Sequence, residues 1–265
     1  MRIFLPFQNI MIQINEEYAI DIFFVDVPVL GYQKKIYACI PKTTTECPVL
    51  YMHDGHNLFF KEDSFNGNTW QAEKALINLY EKTGKRLAII GIGADDRRFD
   101  EYSPWKGIVQ NNCRGGNGDA YIDWLSHSLI PIIKQKYQLY GPLYMAGSSM
   151  GGYISMYAGF KYNYLFEKIG VFSPSFWFNF PEMEQFVKDH FDPSLGIYLD
   201  VGKKESNDFD RIDFSKIYLK DAREFRDILS SLGIKNMIYL EDDEGRHSEK
   251  DWARRFPFFL TWLFQ

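Results

Sequence analysis

Short apolar runs alternate with amphipathic segments along most of the chain, and this alternation restricts the possible folds more than any other feature. Runs typical of buried strands lie at residues 49–52, 87–92, 143–147, 169–172, 196–201 and 237–240. Helical patterns between or after them lie at 70–82, 119–137, 214–232 and 249–264. Strands that alternate with helices build βαβ units, which predicts a mostly parallel central sheet with helices on both faces.

The first forty residues follow a different pattern, which predicts antiparallel N-terminal strands. Residues 20–27 and 35–41 are rich in β-branched and aromatic side chains, and Gly31 occupies the turn between them. The chain has no internal repeat and no linker, so we predict a single α/β domain over residues 1–265. Residues 94–118 are polar and include four glycines, which predicts a long loop of the kind that often serves a function.

Charge and cysteine content argue against several classes of protein. The formal net charge is −5 and no Lys/Arg cluster is present, so we expect no nucleic-acid partner. The three cysteines (Cys39, Cys47 and Cys113) have no C-x-x-C spacing, which predicts reduced thiols rather than disulfides or zinc ligands. The N-terminus makes a poor signal peptide, and no stretch approaches the roughly 18 to 20 apolar residues of a membrane helix. We therefore expect a cytoplasmic protein that does not associate with membranes.

A serine stands between two glycines at the end of one predicted strand, in the pattern Gly147-x-Ser149-x-Gly151. The apolar strand before it and the helical pattern after it are the setting of a nucleophile elbow. Such a turn exposes the serine oxygen, and glycines on both sides avoid collisions with its strained backbone. We therefore predict Ser149 as a nucleophile, whereas Ser148 lacks the flanking glycines.

A serine hydroxyl is a weak nucleophile unless a base takes its proton, usually a histidine oriented by a carboxylate. Behind a nucleophile elbow the chain order is Ser, then Asp or Glu, then His. His247 follows the last predicted strand and precedes the last helix, which predicts it as the base. The acid should follow the preceding strand, where Glu205 is the first choice, with Asp208 next and Asp200 behind it.

Acyl transfer also needs N–H donors for the negative oxygen of the tetrahedral intermediate. One donor is the backbone N–H that follows the nucleophile, which belongs to Met150. The other comes from the loop after an early strand, here residues 53–59. Gly55 lets that backbone approach closely, so we predict the N–H of His56 or a neighbour as the second donor.

Aromatic side chains near the predicted site are candidates for the walls of a substrate pocket. Phe176 and Trp177 follow a strand on the side where ligands bind in parallel sheets. Trp105, in the long polar segment, is a further candidate. For each ring, packing beneath a loop is an equally good interpretation.

Five short blocks point in the same direction: YMHDGHNLF at 51–59, EYSPW at 101–105, GSSMGG at 147–152, SPSFW at 173–177 and HSExxW at 247–252. Together they resemble the putative-esterase (esterase D-like) family, which includes enterochelin esterase-like siderophore hydrolases, feruloyl esterases and mycolyltransferases. The resemblance implies an α/β-hydrolase fold and a cofactor-free esterase in which Ser149 and His247 form the catalytic pair. It also implies an acid where Glu205 stands, and the Phe176-Trp177 block is most similar to the siderophore-esterase branch.

We therefore expect a serine carboxylic ester hydrolase that forms an acyl-Ser149 intermediate and uses neither a metal nor another cofactor. Its partner would be a small-molecule ester of short-chain, sugar-linked or siderophore type. An acyltransferase would use the same triad with a hydroxyl acceptor in place of water. A non-catalytic binding module on the same scaffold is a further alternative, which predicts a broken triad.

Overall fold

The computed structural model describes residues 10–43, 46–109, 111–206 and 213–265, and most of its strands join one large sheet. The strands are β1 (Ile10–Gln13), β2 (Tyr18–Val27), β3 (Tyr32–Pro41), β4 (Val49–His53), β5 (Ala88–Ile92), β6 (Lys106–Val109), β7 (Asn112–Gly115), β8 (Leu143–Ser148), β9 (Lys168–Phe172), β10 (Gly196–Lys204) and β11 (Met237–Arg246). The large sheet runs in the order β1-β2-β3-β5-β4-β8-β9-β10-β11, and β6 pairs with β7 separately.

The large sheet is mixed, as predicted. The pairs β1–β2, β2–β3 and β3–β5 are antiparallel. Every pair from β5 across to β11 is parallel. Gly31 has a φ of 77° in the turn between β2 and β3, a left-handed conformation that glycine adopts without steric cost.

Helices cover both faces of the sheet. They are α1 (Ala72–Thr83), α2 (Arg98–Glu101), α3 (Gly118–Trp124), α4 (Ile130–Tyr137), α5 (Met150–Lys161), α6 (Phe180–Asp189), α7 (Phe214–Leu232) and α8 (Glu249–Trp262). Apolar side chains of α1 and α8 form the core on one face, and those of α3 to α7 form the core on the other. Within the described residues, no helix is both long enough and apolar enough to cross a membrane.

Two predictions about local structure were wrong. Residues 94–118 are not one long loop, because they contain α2 and the β6–β7 hairpin, whose strands of four residues are too short to show a clear pattern. The predicted helix 119–137 is interrupted by a π turn at Leu125–Leu129. Pro131 is the second residue after that turn, and a proline has no N–H to continue a regular helix.

The parallel strands end at one edge of the sheet, and this edge collects the turns that carry polar side chains. In register, Ser148 at the end of β8 lies opposite Phe172 at the end of β9. Phe172 in turn lies opposite Asp200 in β10. Residues that follow β8, β9, β10 and β11 therefore meet at the carboxyl edge, where ligands bind in such sheets.

Phe259 on α8 is a main contact between a helix and the sheet. Its ring lies against Phe172 and Tyr198, with centroids 5.3 Å apart in each case. A Cβ at Gly170 in β9 would lie 2.6 Å from this ring, so glycine leaves the space that the ring occupies. The preceding residue on the same helix, Phe258, is 51% exposed, whereas Phe259 is fully buried.

We expect Phe259→Ala to lower the free energy of unfolding by about 3–5 kcal/mol, because it leaves a cavity between α8 and the sheet. The neighbouring Phe258→Ala is the matched control, and we expect it to cost less than about 1 kcal/mol. Urea unfolding followed by fluorescence measures both values. Equal losses in the two variants would contradict the packing described here.

Candidate active site

Ser149 occupies a strained turn between β8 and α5. Its backbone angles are φ 59° and ψ −124°, a combination that residues with side chains rarely adopt. A Cβ at Gly147 would lie 2.6 Å from the backbone carbon of Gly151, so a larger residue at this position would displace the turn. The Ser149 N–H donates to the carbonyl of Phe172 at 2.9 Å, which ties the turn to β9. The predicted strand–turn–helix is therefore present, and Met150 is the first residue of its helix.

His247 and Glu205 are in direct contact. The His247 Nδ1 atom lies 2.6 Å from Glu205 Oε2, and the carboxylate itself is fully buried. Glu205 Oε1 accepts hydrogen bonds from the Gly202 N–H and from the Ser173 hydroxyl, both at 2.6 Å. With Nδ1 held by the carboxylate, the histidine ring presents its Nε2 atom on the opposite side.

Ser173 links this carboxylate to α8. Its Oγ accepts hydrogen bonds from Trp252 Nε1 and Arg255 Nη2, both at 3.0 Å, and donates to Glu205. Its φ of 41° is unusual for a residue with a side chain. A fully buried serine that makes three side-chain hydrogen bonds therefore holds Glu205 in place through the oxygen that does not contact His247.

Of the two alternative acids, the structure describes only Asp200. Asp200 is fully buried in β10, where Tyr198 donates a hydrogen bond to it at 2.8 Å. Arg255 Nε lies 3.0 Å from Asp200 Oδ2, an ion pair that lacks the alignment of a hydrogen bond. Burial raises the pKa of Asp200 to about 6, and Arg255 opposes that shift. Asp208, the second choice, lies outside the described residues.

Hydroxyl groups and an aromatic ring join the serine side of the site to the histidine side. Ser149 Oγ lies 3.1 Å from Ser175 Oγ, which lies 2.8 Å from the hydroxyl of Tyr218 on α7. The Tyr218 ring packs against His247, with centroids 4.8 Å apart. Sequence analysis did not identify Ser175, Tyr218 or Ser173, although both serines stand in the SPSFW block.

The loop after β4 is held in a tight conformation next to the elbow. A Cβ at Gly55 would lie 2.5 Å from the backbone of Gly91 in β5, so only glycine fits this approach. His56 Nδ1 accepts a hydrogen bond from the Ala94 N–H at 3.3 Å, and burial lowers the pKa of His56. The ring is therefore an acceptor, which favours the neutral form.

A bidentate ion pair fixes the same loop to α2. Arg98 donates to the two carboxylate oxygens of Asp54 at 2.7 and 2.8 Å, and Arg98 pairing holds the pKa of Asp54 below its usual value against the effect of burial. At the other end of α2, the buried Glu101 forms an ion pair with Lys34 of β3. The start of segment 94–118 is therefore fastened to the sheet at two points.

The three aromatic residues predicted as pocket walls differ in exposure. Phe176 is fully buried and stacks on Phe225 with centroids 3.9 Å apart, so it packs in the core and is not placed to face a ligand. Trp177 and Trp105 are only partly buried. The 3₁₀ turn at Phe176–Phe178 turns the first ring inwards, because the apolar face of α7 lies beneath it.

The acidic residues at 241–244 form part of β11 rather than a turn. Glu241 pairs with Arg223 at 2.7 Å and Asp243 with Lys203 at 2.7 Å, and Glu244 pairs with Lys204. Asp242 pairs with Arg255 at 3.2 Å, which connects this strand to the support of Glu205. Across the described ranges, no group of three or more His, Cys, Asp or Glu side chains has the arrangement of a metal site.

Comparison with known proteins places the chain in a family. The sequence matches the putative-esterase family over residues 28–263. It is 25% identical over 225 residues to the uncharacterized protein YbbA of Bacillus subtilis (strain 168), which covers 82% of this chain and 85% of that protein.

Solved structures show the same α/β-hydrolase fold. An IroE-like serine hydrolase from Shewanella oneidensis has a TM-score of 0.69 at 19% identity, over 92% of this chain and 80% of that one. The siderophore hydrolase EstA from Aspergillus nidulans has a TM-score of 0.71 at 16% identity, over 93% of this chain and 95% of that one. The predicted fold class is therefore confirmed.

A buried histidine behind the elbow makes the stability of the fold depend on pH. His53 at the end of β4 has its Nδ1 atom 3.0 Å from the Tyr121 hydroxyl, and its Nε2 atom is buried without a partner in the described structure. Burial lowers the pKa of His53 from 6.5 to about 3. Above pH 6.5 the ring is neutral whether the chain is folded or unfolded. As the pH falls below 6.5, only the unfolded chain takes up the proton, so stability is lost progressively down to about pH 3.

We expect the loss of unfolding free energy between pH 7 and pH 5 to be about 2 kcal/mol smaller in His53→Gln than in the wild type. His127→Gln is the control, because His127 is exposed and we expect it to keep the wild-type pH dependence. Denaturant unfolding at the two pH values gives the difference. The same loss in wild type and His53→Gln would show that His53 is not a buried neutral ring.

Proposed function

Because the chain belongs to the putative-esterase family and is a carboxylic ester hydrolase, we propose that hydrolysis proceeds through an acyl intermediate on Ser149. His247 is the base in this proposal and Glu205 is the acid that orients it. The contact of 2.6 Å between His247 Nδ1 and the buried Glu205 carboxylate is the observation that carries the proposal. It leaves Nε2 of a neutral His247 as a proton acceptor at the edge of the sheet where Ser149 stands.

The first half of the reaction acylates the enzyme. His247 Nε2 takes the proton of Ser149 as Oγ attacks the carbonyl carbon of the ester. The Met150 N–H, at the N-terminus of α5, and the N–H of His56 or a neighbour donate to the resulting oxyanion. His247 then gives its proton to the leaving alcohol, and the acyl group remains on Ser149. In the second half, His247 removes a proton from water, which attacks the acyl group and restores the serine.

Glu205 stabilises the protonated form of His247 in both halves. Its carboxylate accepts the Nδ1–H bond and therefore selects the tautomer in which Nε2 carries the lone pair. Its other oxygen is occupied by Gly202 and Ser173, so the carboxylate is not free to rotate. Asp200 pairs instead with Arg255 on the far side of this network.

We propose a small-molecule ester of short-chain, sugar-linked or siderophore type as the substrate. The siderophore type is favoured by the likeness in fold to EstA, a siderophore hydrolase. Trp177 and Trp105 are proposed as pocket walls, since both residues are partly exposed.

We expect Ser149→Ala to lose the hydrolysis of p-nitrophenyl esters by about 10⁴-fold or more, because the acyl intermediate cannot form. A fluorophosphonate probe should label the wild type at Ser149, as mass spectrometry of the peptide would show. Ser148→Ala is the matched control, since this neighbouring hydroxyl lies one residue before the elbow, and it should retain labelling and activity. An active Ser149→Ala variant would refute the proposed nucleophile, and transfer to an added alcohol in excess water would show an acyltransferase.

We expect Glu205→Gln to reduce kcat/KM by about 10³- to 10⁴-fold, because the amide does not hold His247 in its productive tautomer. Asp200→Asn provides the comparison. Asp200, on β10, is also a buried carboxylate, but its partners are Tyr198 and Arg255 rather than His247. This second variant should lose stability more than activity. The reverse ranking of the two variants in kcat/KM, measured on the folded proteins, would assign the acid to Asp200.

A further inference from the structure

Ser175 is bound to the nucleophile by two hydrogen bonds. Its backbone N–H donates to the carbonyl of Ser149 at 3.1 Å, and its Oγ lies 3.1 Å from Ser149 Oγ. Ser175 is fully buried in the turn that follows β9. The backbone contact holds the two residues together, so the second hydroxyl stays next to the first without depending on a mobile side chain.

Tyr218 extends this contact away from the nucleophile. Its hydroxyl lies 2.8 Å from Ser175 Oγ, and only 6% of the residue is exposed. Burial raises the pKa of Tyr218 above its ordinary value, so the phenol keeps its proton at neutral pH. The Tyr218 ring also packs against His247, which places one side chain in contact with both halves of the site.

The donors and acceptors around Tyr218 favour one direction for the protons. The Trp177 indole N–H is buried and has no hydrogen-bond partner among the described residues. Trp177, like Ser175 and Ser149, opposes the rise that burial causes in the pKa of Tyr218, so its N–H lies near the Tyr218 hydroxyl. An indole N–H can only donate, so the Tyr218 oxygen acts as its acceptor. Either oxygen can donate in the Tyr218–Ser175 and Ser175–Ser149 contacts. With Trp177 donating to Tyr218, the order from Tyr218 to Ser175 to Ser149 gives every proton an acceptor.

We propose that Tyr218 and Ser175 form a hydroxyl relay that donates a hydrogen bond to the oxygen of Ser149. The inference rests on the proposed function, in which Ser149 is the nucleophile. Ser175 contacts the reacting oxygen and is a catalytic residue in this sense. Tyr218 makes its hydrogen bond to Ser175 and interacts more weakly with Ser149, so it is a positioning residue.

The relay would act while the nucleophile loses its proton. With one lone pair of Ser149 Oγ occupied by Ser175, the Ser149 proton is left free to bond Nε2 of His247 during the reaction. During attack the O–H bond of Ser149 breaks and an N–H bond forms on His247. The Oγ–C bond to the substrate forms as the π bond of the carbonyl breaks and its electron pair moves to the carbonyl oxygen. The relay protons stay on their own oxygens, and the Ser175 hydrogen bond stabilises the negative charge that develops on Oγ.

The test compares rates of acylation in single and double variants. We expect Ser175→Ala to slow fluorophosphonate labelling and lower kcat/KM about ten- to hundredfold, since a hydrogen bond to a developing charge is lost. Tyr218→Phe keeps the ring and removes only the hydroxyl, and we expect about a three- to tenfold loss. The double variant should be no slower than Ser175→Ala, because Ser175→Ala already removes the hydroxyl that connects Tyr218 to Ser149.

Two control variants remove similar groups outside the site. Ser126→Ala deletes a buried serine hydroxyl in the π turn, and Tyr144→Phe deletes a buried phenol that donates to the carbonyl of Leu263. Both should label at the wild-type rate. In Tyr218→Phe the pH at which kcat/KM is half-maximal should match the wild type, because the ring contact with His247 is retained.

Several results would overturn the relay. The first is a wild-type labelling rate in both single variants, and the second is a loss of kcat/KM in the double variant that equals the product of the two single losses. The third is a shifted pH profile of kcat/KM in Tyr218→Phe, which would assign the effect to His247. If Ser175→Ala does not fold, a wild-type labelling rate in Tyr218→Phe alone overturns the relay. A wild type that is not labelled at Ser149 refutes the proposed function instead, whereas a labelled wild type with unaffected relay variants refutes only the relay.

Discussion

The buried carboxylate of Glu205 needs hydrogen bonds, and much of the surrounding structure provides them. A carboxylate removed from water is strongly destabilising unless hydrogen bonds replace those of the solvent. Glu205 receives them from the end of β10, from Ser173 after β9 and from His247 after β11. Three neighbouring strands therefore contribute to one side chain, and their ends are held in a single geometry.

The support of Glu205 continues into α8. Arg255 and Trp252 donate to Ser173, and Arg255 also pairs with Asp200 and Asp242. Because each group in this network depends on the next, the position of α8 and the position of the carboxylate are coupled. His247 lies two residues before α8 begins, so the same helix that packs on the sheet also positions the histidine.

The serine side of the site is built differently. Ser149 is held by backbone geometry, in which the close approach of Gly147 and Gly151 permits a turn with a positive φ. Its contacts to Phe172 and Ser175 join that turn to β9. The ion pair of Asp54 with Arg98 fastens the neighbouring loop. The strain of the elbow is thus compensated by its contacts to β9 and to the turn that follows β9.

The sequence by itself determined the alternation of the parallel strands with their main helices and the place of the elbow. These follow from local patterns, because the period of apolar residues and a glycine on each side of Ser149 are visible within a few residues. Only the tertiary structure decided that Glu205 rather than Asp200 contacts His247, and that Phe176 packs in the core. The same holds for Asp54 and Arg98, which are 44 residues apart, and for Ser149, Ser175 and Tyr218. Such contacts depend on how the sheet brings distant turns together at one edge, and no pattern along the chain records that distance.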